Sequence, residues 1–320
     1  MRHLLLLAAF VSAAAMAAGC FETKQDMTLN PDGSGKTRVE VIMSDMPFQM
    51  PPDQEPPPPE LVAKQFAKSV LDESKGVDTW SDVEVGRTED SRSRFTGTAY
   101  FKDFTKVQIQ GTKMEGVTLA PDGKGGVILK MEPPKGDKEK KPDAQPPQMT
   151  EEQIQQAIQA ERMKWQQLKP MMTMMLGKMK MELIFHLPGP LTQVKGFAKT
   201  ADGGVRFAME GAKVLAALDK FMADDAYVRQ QVLTGGGDPG QPPMDDPAVI
   251  KEMFGIEGAL EAHAGPPVKA QFDYQAEVQA AKAAYPAMIK KLGLDRLPQE
   301  SGPMMPPGFD FGGPGGAGMP

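Results

Sequence analysis

The chain of 320 residues holds 33 glycines and 30 prolines in clusters, which leaves length for one main packed domain with additions. An apolar fraction of 40% and an aromatic fraction of 7% are enough for a globular core, and 24 methionines supply adaptable apolar side chains. The formal net charge of −6 is spread without long blocks of one sign, which argues against a nucleic-acid partner.

The N-terminus has the organisation of a secretory leader. Arg2 precedes an apolar run at 4–11, and small residues at 17–19 lead into Cys20. This end resembles the bacterial lipobox, in which the cysteine is acylated and becomes the first mature residue. An ordinary leader followed by a free thiol is the alternative, but an unpaired cysteine in an exported protein is a liability. We therefore predict a lipoprotein signal peptide at 1–19 and lipidation at Cys20.

The predicted lipid anchor makes a membrane the first expected partner. Acyl chains contribute about 0.8 kcal/mol per buried methylene, so they can hold a protein on a bilayer without a spanning segment. After Cys20 the sequence contains no stretch that is long and apolar enough to cross a bilayer. The expected location is the bacterial cell envelope, with the choice between inner and outer membrane left open.

Two similar phrases, at 28–41 and 118–131, indicate two β-hairpins. Each runs from Thr-Leu through a Pro-Asp-Gly turn into an alternating apolar stretch. Proline presets φ at the first corner of a turn, aspartate bonds its own backbone, and glycine supplies positive φ. We therefore expect left-handed backbone at or beside Gly33 and Gly123. A looser third hairpin is predicted around 197–209.

The aspartates of these turns could alternatively belong to calcium loops. An EF-hand needs several spaced acidic oxygens and a glutamate at its twelfth position, and neither Asp32 nor Asp122 lies in such a pattern. The sequence favours turns over calcium sites. Duplication of one hairpin and independent use of the same turn both remain open.

The first part of an α+β domain is predicted at 20–132. It contains a Pro-rich loop at 47–59, followed by a helix over 60–76 with one apolar face. Strands are predicted at 77–87 and 93–104, where apolar residues alternate. The expected fold class is α+β, in which a mainly antiparallel sheet of hairpins packs with one or two helices.

The middle of the chain is predicted to leave this domain and return to it. A Pro/Lys-rich spacer at 133–149 is too polar to pack, and a helical insertion is expected at 150–176. Thr150 begins a capping box, and Pro170 should kink or end the helix. The second part of the α+β domain is predicted at 177–215.

The C-terminal part is predicted to be a mostly helical extension over 216–298. Helices are expected at 214–221, 227–233, 247–254 and 274–294. The segment 266–275 could be a strand that runs into the last helix. A disordered Gly/Pro tail is predicted at 299–320.

Several of these features together resemble the LppM-like lipoprotein domain, a bacterial envelope family of largely undetermined function. The similar pieces are Cys20, the strand pair around 26–35, the strand that enters Pro188-Gly189, and the Asp-Gly hairpin that leads into 205–209. The resemblance covers 20–215. It implies a tethered α+β domain with an apolar cavity for an amphipathic ligand, and it implies no catalytic residues.

Catalytic and cofactor patterns are absent from the sequence. After removal of the leader the histidines are His186 and His263, and no serine lies in a Gly-x-Ser-x-Gly context. A histidine at a strand end, such as His186, is typically a surface or capping residue. The acid pairs 224–225 and 245–246 are typical of helix N-termini. We therefore predict no enzyme activity, no cofactor and no metal site.

The methionine-rich segment 163–181 is the feature that could suggest a metal. Thioether sulfur is a soft ligand for Cu(I), and Met171, Met172, Met174 and Met175 are close together. Methionine is frequent along the whole chain, however, and also serves as an adaptable apolar filler. The sequence favours a core or contact surface here, with copper handling as the less favoured alternative.

Two classes of function follow from these observations. A binding module would hold a lipid or other amphipathic ligand in an apolar cavity between the sheet and the helix at 60–75. A structural or interaction lipoprotein would instead tether a protein partner in the envelope through its Pro-rich segments and tail. The ligand, the partner and the oligomeric state are left open.

Overall fold

The computed structural model describes residues 21–44, 57–110, 112–114, 116–132, 149–233 and 247–297. The predicted signal peptide, Cys20, most of the Pro-rich loop, nearly all of the spacer, the acid pair 245–246 and the tail lie outside the described residues. Within the described part of the chain, no helix is long and apolar enough to cross a membrane.

Strands and helices alternate in an irregular order along the chain. The strands are β1 (Phe21–Leu29), β2 (Gly35–Met43), β3 (Thr79–Arg87), β4 (Ser93–Phe101), β5 (Gln108–Ile109), β6 (Thr112–Lys113), β7 (Val117–Pro121), β8 (Val127–Met131), β9 (Lys180–His186), β10 (Leu191–Lys195), β11 (Ala198–Lys199), β12 (Val205–Glu210) and β13 (Leu260–Ala264). The helices are α1 (Pro59–Glu73), α2 (Glu151–Leu176), α3 (Gly211–Ala223), α4 (Asp225–Leu233), α5 (Pro247–Phe254) and α6 (Tyr274–Leu292).

The largest sheet has 7 strands in the order β11-β12-β9-β1-β2-β4-β3. Its pairs are antiparallel except for β1 and β9, which run parallel with Glu22 opposite Lys180. The β1–β2 hairpin closes at Leu29 and Gly35, so the predicted first hairpin is confirmed. The predicted fold class, α+β with mainly antiparallel sheets, is also confirmed.

A second sheet has 4 strands in the order β10-β13-β8-β7. The β7–β8 pair confirms the second predicted hairpin, and β11 with β12 confirms the third. The central strand β13 was not predicted, and the predicted strand at 266–275 is wrong. Within that segment, residues 266–273 have bends and irregular backbone, β13 ends shortly before them at Ala264, and α6 begins at Tyr274.

The main core lies on one face of the seven-stranded sheet. Alternate residues of β1, such as Met27 and Leu29, are fully buried on this face. Phe66 and Val70 of α1 pack onto the same core, and the helix at 60–76 is therefore confirmed with slightly different bounds. Buried residues of the second sheet, such as Leu129, complete the apolar cluster.

The helices α2 to α5 build a second apolar cluster. Ile154, Ile158 and Trp165 of α2 pack with residues of α3 such as Leu218. The Trp165 indole N–H donates to a carboxylate oxygen of Asp219 at 3.0 Å. The helix predicted at 150–176 thus buries its apolar face against the C-terminal helices rather than against the sheet.

Two expectations for α2 have different outcomes. The capping box at Thr150 is confirmed, because its hydroxyl accepts from the Gln153 N–H while the Gln153 side chain accepts from the Thr150 N–H. Of the two outcomes expected at Pro170, a kink or an end of the helix, the end is wrong, because α2 continues to Leu176. Burial of Leu176 in the helical cluster offsets the hydrogen bond that proline cannot donate.

Candidate functional site

Three buried polar side chains form the candidate site. Thr23 and Gln25 lie on β1 and Thr37 lies on β2, at positions of the strand alternation that face the main core. Gln25 is opposite Val39 of β2 and Leu183 of β9, while Thr37 is opposite Met27. We call Thr23, Gln25 and Thr37 the polar trio.

The polar trio is closed off from water and has no hydrogen-bond partners. Gln25 and Thr37 are 0% exposed and Thr23 is 4% exposed. The amide nitrogen and oxygen of Gln25 and the hydroxyls of Thr23 and Thr37 are buried and unpaired. Each such group costs about 1–3 kcal/mol of folding free energy relative to a satisfied one. A sequence that retains three of them in one core therefore carries a substantial penalty.

The surroundings of the polar trio are apolar and uncharged. Its strand neighbours include Met27, Val39 and Val41, all fully buried. The layer above this part of the sheet includes the two-residue strands β5 and β6, where the Thr112 hydroxyl makes a weak contact of 4.0 Å to the sulfur of Met181. Amide and hydroxyl groups can donate and accept hydrogen bonds but do not act as acids or bases near neutral pH. The arrangement suits recognition of an uncharged polar group, not proton transfer.

His186 lies at the end of β9, as expected from the sequence, and pairs with acids. Its Nε2 is 2.9 Å from Asp26 and 3.8 Å from Asp202. A hydrogen bond with Thr200 holds the pKa of Asp202 below its ordinary value, and His186 adds to this effect. The backbone carbonyl of His186 accepts from the Gln271 side chain at 2.9 Å. These contacts join β9, β1 and the third hairpin, which is a structural role.

His263 lies on β13, far along the chain from His186 and in the other sheet. Its Nε2 is 3.8 Å from a Glu261 carboxylate oxygen, too long for a hydrogen bond. The structure therefore does not bring His186 and His263 into one site. Asp224 behaves as predicted, because its carboxylate accepts from the N–H groups of Ala226 and Tyr227 in the first turn of α4.

The aspartates of the first two hairpins accept hydrogen bonds from their own turns. Asp32 accepts from the Ser34 N–H at 3.0 Å and from the Ser34 hydroxyl at 2.7 Å. Asp122 accepts from the N–H groups of Lys124 and Gly126, each at 2.7 Å, and these bonds lower the pKa of its carboxyl. Among the described residues, no group of three or more His, Cys, Asp or Glu side chains is arranged to hold a metal ion.

A cavity of about 370 Å³ lies between β12, α3 and α5. Its lining includes Met209, Met253 and Phe254, but the charged Glu210 and Lys213 also line it. This position differs from the sequence-based prediction, which placed an apolar cavity between the sheet and α1. At that predicted position, Phe66, Ala67 and Val70 of α1 are buried in the core.

The polar trio was not predicted from the sequence. The signal that could have revealed it is the alternation of β1, in which Thr23 and Gln25 fall in the same phase as Phe21, Met27 and Leu29. Polar residues in the apolar phase of a strand either mark an exposed position or require partners. Whether such a residue is exposed or buried depends on the layer that covers the strand. The residues of that layer are distant from β1 in the sequence.

Comparisons with known proteins give little further guidance. No protein-family model matches the chain, and no curated protein matches it. A similar solved structure is the folded domain of LppM from Mycobacterium tuberculosis, determined by NMR, with 9% sequence identity and a TM-score of 0.28. The likeness covers 79% of this chain and 95% of that domain. It amounts at most to a distant relationship in fold.

Proposed function

We propose that this protein is a lipid-anchored, non-catalytic protein of the bacterial cell envelope that binds an amphipathic ligand at the polar trio. The observation that supports the proposal is the group of unpaired amide and hydroxyl atoms inside an otherwise apolar core. A bound ligand with an uncharged polar group would supply the missing partners. Its apolar part would contact the surrounding aliphatic side chains.

The chemistry of the polar trio limits the class of ligand. Gln25 offers both a donor and an acceptor, and each threonine hydroxyl can act as either. No charged group belongs to the trio, so an ester, amide or hydroxyl of the ligand fits better than a phosphate or carboxylate. A charged group would remain uncompensated in this apolar setting at a cost of several kcal/mol.

Entry of a ligand requires the covering layer to open. The strands β5 and β6 consist of Gln108–Ile109 and Thr112–Lys113, and such short elements have few hydrogen bonds to break. Local opening of segments of this kind costs less free energy than global unfolding. We therefore place the entry route at the β5–β6 side of the core.

The predicted anchor would bring this site close to a membrane. The strand β1 begins at Phe21, the residue that follows Cys20, so no linker separates the predicted acylation site from the domain. Gln25 lies roughly 17 Å further along the strand, at the usual rise per residue. Lipids of the supporting bilayer are therefore the nearest source of an amphipathic ligand.

Native mass spectrometry of the protein extracted from its own envelope tests the proposal. The parent should carry a bound amphipathic ligand, and Gln25→Leu should lose most of it. The ligand-free Gln25→Leu variant should nevertheless be more stable to unfolding than the ligand-free parent, by about 1–3 kcal/mol, because an unpaired amide is replaced by an apolar group.

Thr98→Val is the matched control for this experiment. Thr98 is half-buried on β4, in the alternation phase opposite to the main core, and its substitution also removes a hydroxyl. This variant should keep the ligand. Absence of ligand from the parent, or equal occupancy in Gln25→Leu, would contradict the proposal, and a co-purifying protein in place of a ligand would favour the tethering alternative.

A further inference from the structure

The helix α2 leaves large apolar side chains in contact with solvent. Among the described residues, the exposed large apolar side chains are Met163 at 61%, Met171 at 47% and Met174 at 66%, and all belong to α2. At 100° per residue they lie within about 80° of arc on the helix. The opposite side of the helix is occupied, because Ile158 and Trp165 are buried in the helical cluster. The methionines therefore form a separate, uncovered stripe.

The same segment is basic within an acidic protein. The whole chain has a net charge of −6, whereas 162–181 contains arginine and lysine but no aspartate or glutamate. The basic residues are Arg162, Lys164, Lys169, Lys178 and Lys180. Each of the first three pairs with an acid, which is Asp225, Glu161 and Asp219 respectively. The positive charge is therefore most available at the C-terminal end of this segment. There, Lys178 is exposed and the Lys180 side chain is 65% exposed, with its amine 3.8 Å from Glu22.

This basic end of α2 lies beside the start of β1. The helix ends at Leu176, and the Met179 N–H donates to the Leu176 carbonyl at 2.9 Å in a tight turn. Lys180 then begins β9 directly opposite Glu22 of the parallel strand β1. Cys20 is two residues before Glu22 in the sequence. The methionines near the end of α2 and the predicted anchor thus belong to the same end of the seven-stranded sheet.

We propose that Met171, Met174, Lys178 and Lys180 form a membrane-contact surface that rests on an anionic lipid bilayer beside the anchor. The methionines would enter the interface between headgroups and acyl chains, and the lysines would lie among lipid phosphates. The anchored end of the domain carries an uncovered apolar stripe and a local positive charge, and an anionic bilayer complements both. The proposal relies on the proposed function only for the position of the anchor.

The test measures binding of the unacylated mature chain, residues 20–320 with Cys20→Ser, to lipid vesicles. Vesicles containing phosphatidylglycerol should bind the protein, and pure phosphatidylcholine vesicles should bind it much less. Lys178→Gln with Lys180→Gln should weaken binding by about fivefold per lysine at low salt. Met171→Gln with Met174→Gln should weaken binding roughly tenfold, since two apolar side chains no longer enter the interface.

Lys199→Gln is the matched control. Lys199 is an exposed lysine of β11 and lies opposite Val205 of β12. Val205 lies opposite Phe185 of β9, which in turn lies opposite Met27. Lys199 is therefore toward the end of β1 that is away from Cys20. This variant should bind vesicles like the parent. Circular dichroism melts of every variant should match the parent, because all the changed side chains are exposed.

Several results would overturn the inference. One is equal vesicle binding by the parent and the methionine variant, and another is no vesicle binding by the parent. A third is a parent that sediments as a dimer while the methionine variant sediments as a monomer, with vesicle binding unchanged. The assay uses unacylated protein, and ligand occupancy of the polar trio is read by mass spectrometry. Failure of the membrane-contact surface is therefore distinguishable from failure of the lipid anchor or of the ligand site.

Discussion

Single residues in the hairpin turns show why the same phrase occurs twice in this chain. Gly33 has a φ of 82° and Gly123 has a φ of 73°, in the left-handed region that favours glycine. A Cβ on Gly123 would meet no atom within 4 Å, and one on Gly33 would meet Phe104 at an ordinary 3.9 Å. Backbone conformation, rather than available space, therefore requires glycine at both positions.

This distinction gives a prediction for substitutions in the two turns. Gly33→Val and Gly123→Val should each lower the free energy of unfolding by about 1–3 kcal/mol, because a β-branched residue is strained at positive φ. Asp32→Asn and Asp122→Asn should have smaller effects, since the asparagine oxygen can accept the same turn hydrogen bonds. Thermal melts with and without calcium would measure this. Larger losses for the asparagine variants, and only with calcium present, would identify a calcium site instead.

The helix α2 shows how packing overrides a local signal. Pro170 lies inside the helix and its side chain is exposed, so it costs a backbone hydrogen bond without contributing to the core. The helix continues because Leu176, beyond the proline, is buried against the other helices. Met172 is half-buried in the same cluster. Tertiary contacts thus hold together a helix that the sequence alone would divide.

Replacement of this proline should stabilise the protein. Pro170→Ala restores a hydrogen-bond donor and removes a steric conflict in a helix interior, so the free energy of unfolding should rise by about 1–3 kcal/mol. Gln167→Ala changes a neighbouring exposed position to the same residue and serves as the control, with an expected change below about 0.5 kcal/mol. Urea unfolding curves of both variants decide the point. A loss of stability in Pro170→Ala would mean that the helix depends on a bend at the proline.

Elements defined by local contacts were predictable from the sequence, and those defined by distant contacts were not. The hairpins and the capping box at Thr150 depend on residues a few positions apart, so the sequence contains their full signal. The strand β13 pairs with β8 and β10, both far away in the chain, and its five residues carry little signal alone. The burial of Gln25 is likewise a property of the layers around it.

The described residues contain two large apolar clusters with different positions in the chain, beside a small one between α6 and β4. One lies between the seven-stranded sheet and its covering elements, and the other lies among α2, α3, α4 and α5. The first half of α6 packs on the opposite face of the sheet, where Val278 and Ala281 contact Tyr100 of β4. Its second half, which includes Met288, packs against the main core. Lys36 of β2 pairs with Glu277 of the same helix at 2.8 Å. The helix α6 thereby covers part of the sheet face that the main core leaves uncovered.

The same organisation makes the position of the proposed anchor decisive for the proposed function. Because β1 is a central strand that begins at Phe21, an anchor at Cys20 would hold the whole domain against the bilayer without a flexible spacer. Both the polar trio and the membrane-contact surface would then operate within a short distance of lipid. If Cys20 were not acylated, the polar trio would have no nearby source of lipid, and the membrane-contact surface would not be held beside a bilayer.

Cell fractionation of Cys20→Ser tests this last dependence. We expect the variant to accumulate as an unprocessed precursor or to leave the membrane fraction, because the acylated thiol is the predicted anchor and no described helix can span a bilayer. Cys20→Ala should behave in the same way, whereas a serine substitution at the neighbouring Gly19 should have a smaller effect, since small residues are tolerated before the cysteine. Labelling with a radioactive fatty acid should mark the parent and neither cysteine variant. Normal processing of Cys20→Ser together with detergent-dependent extraction from membranes would show that another part of the chain anchors the protein, and the membrane-contact surface on α2 would then be the first region to examine.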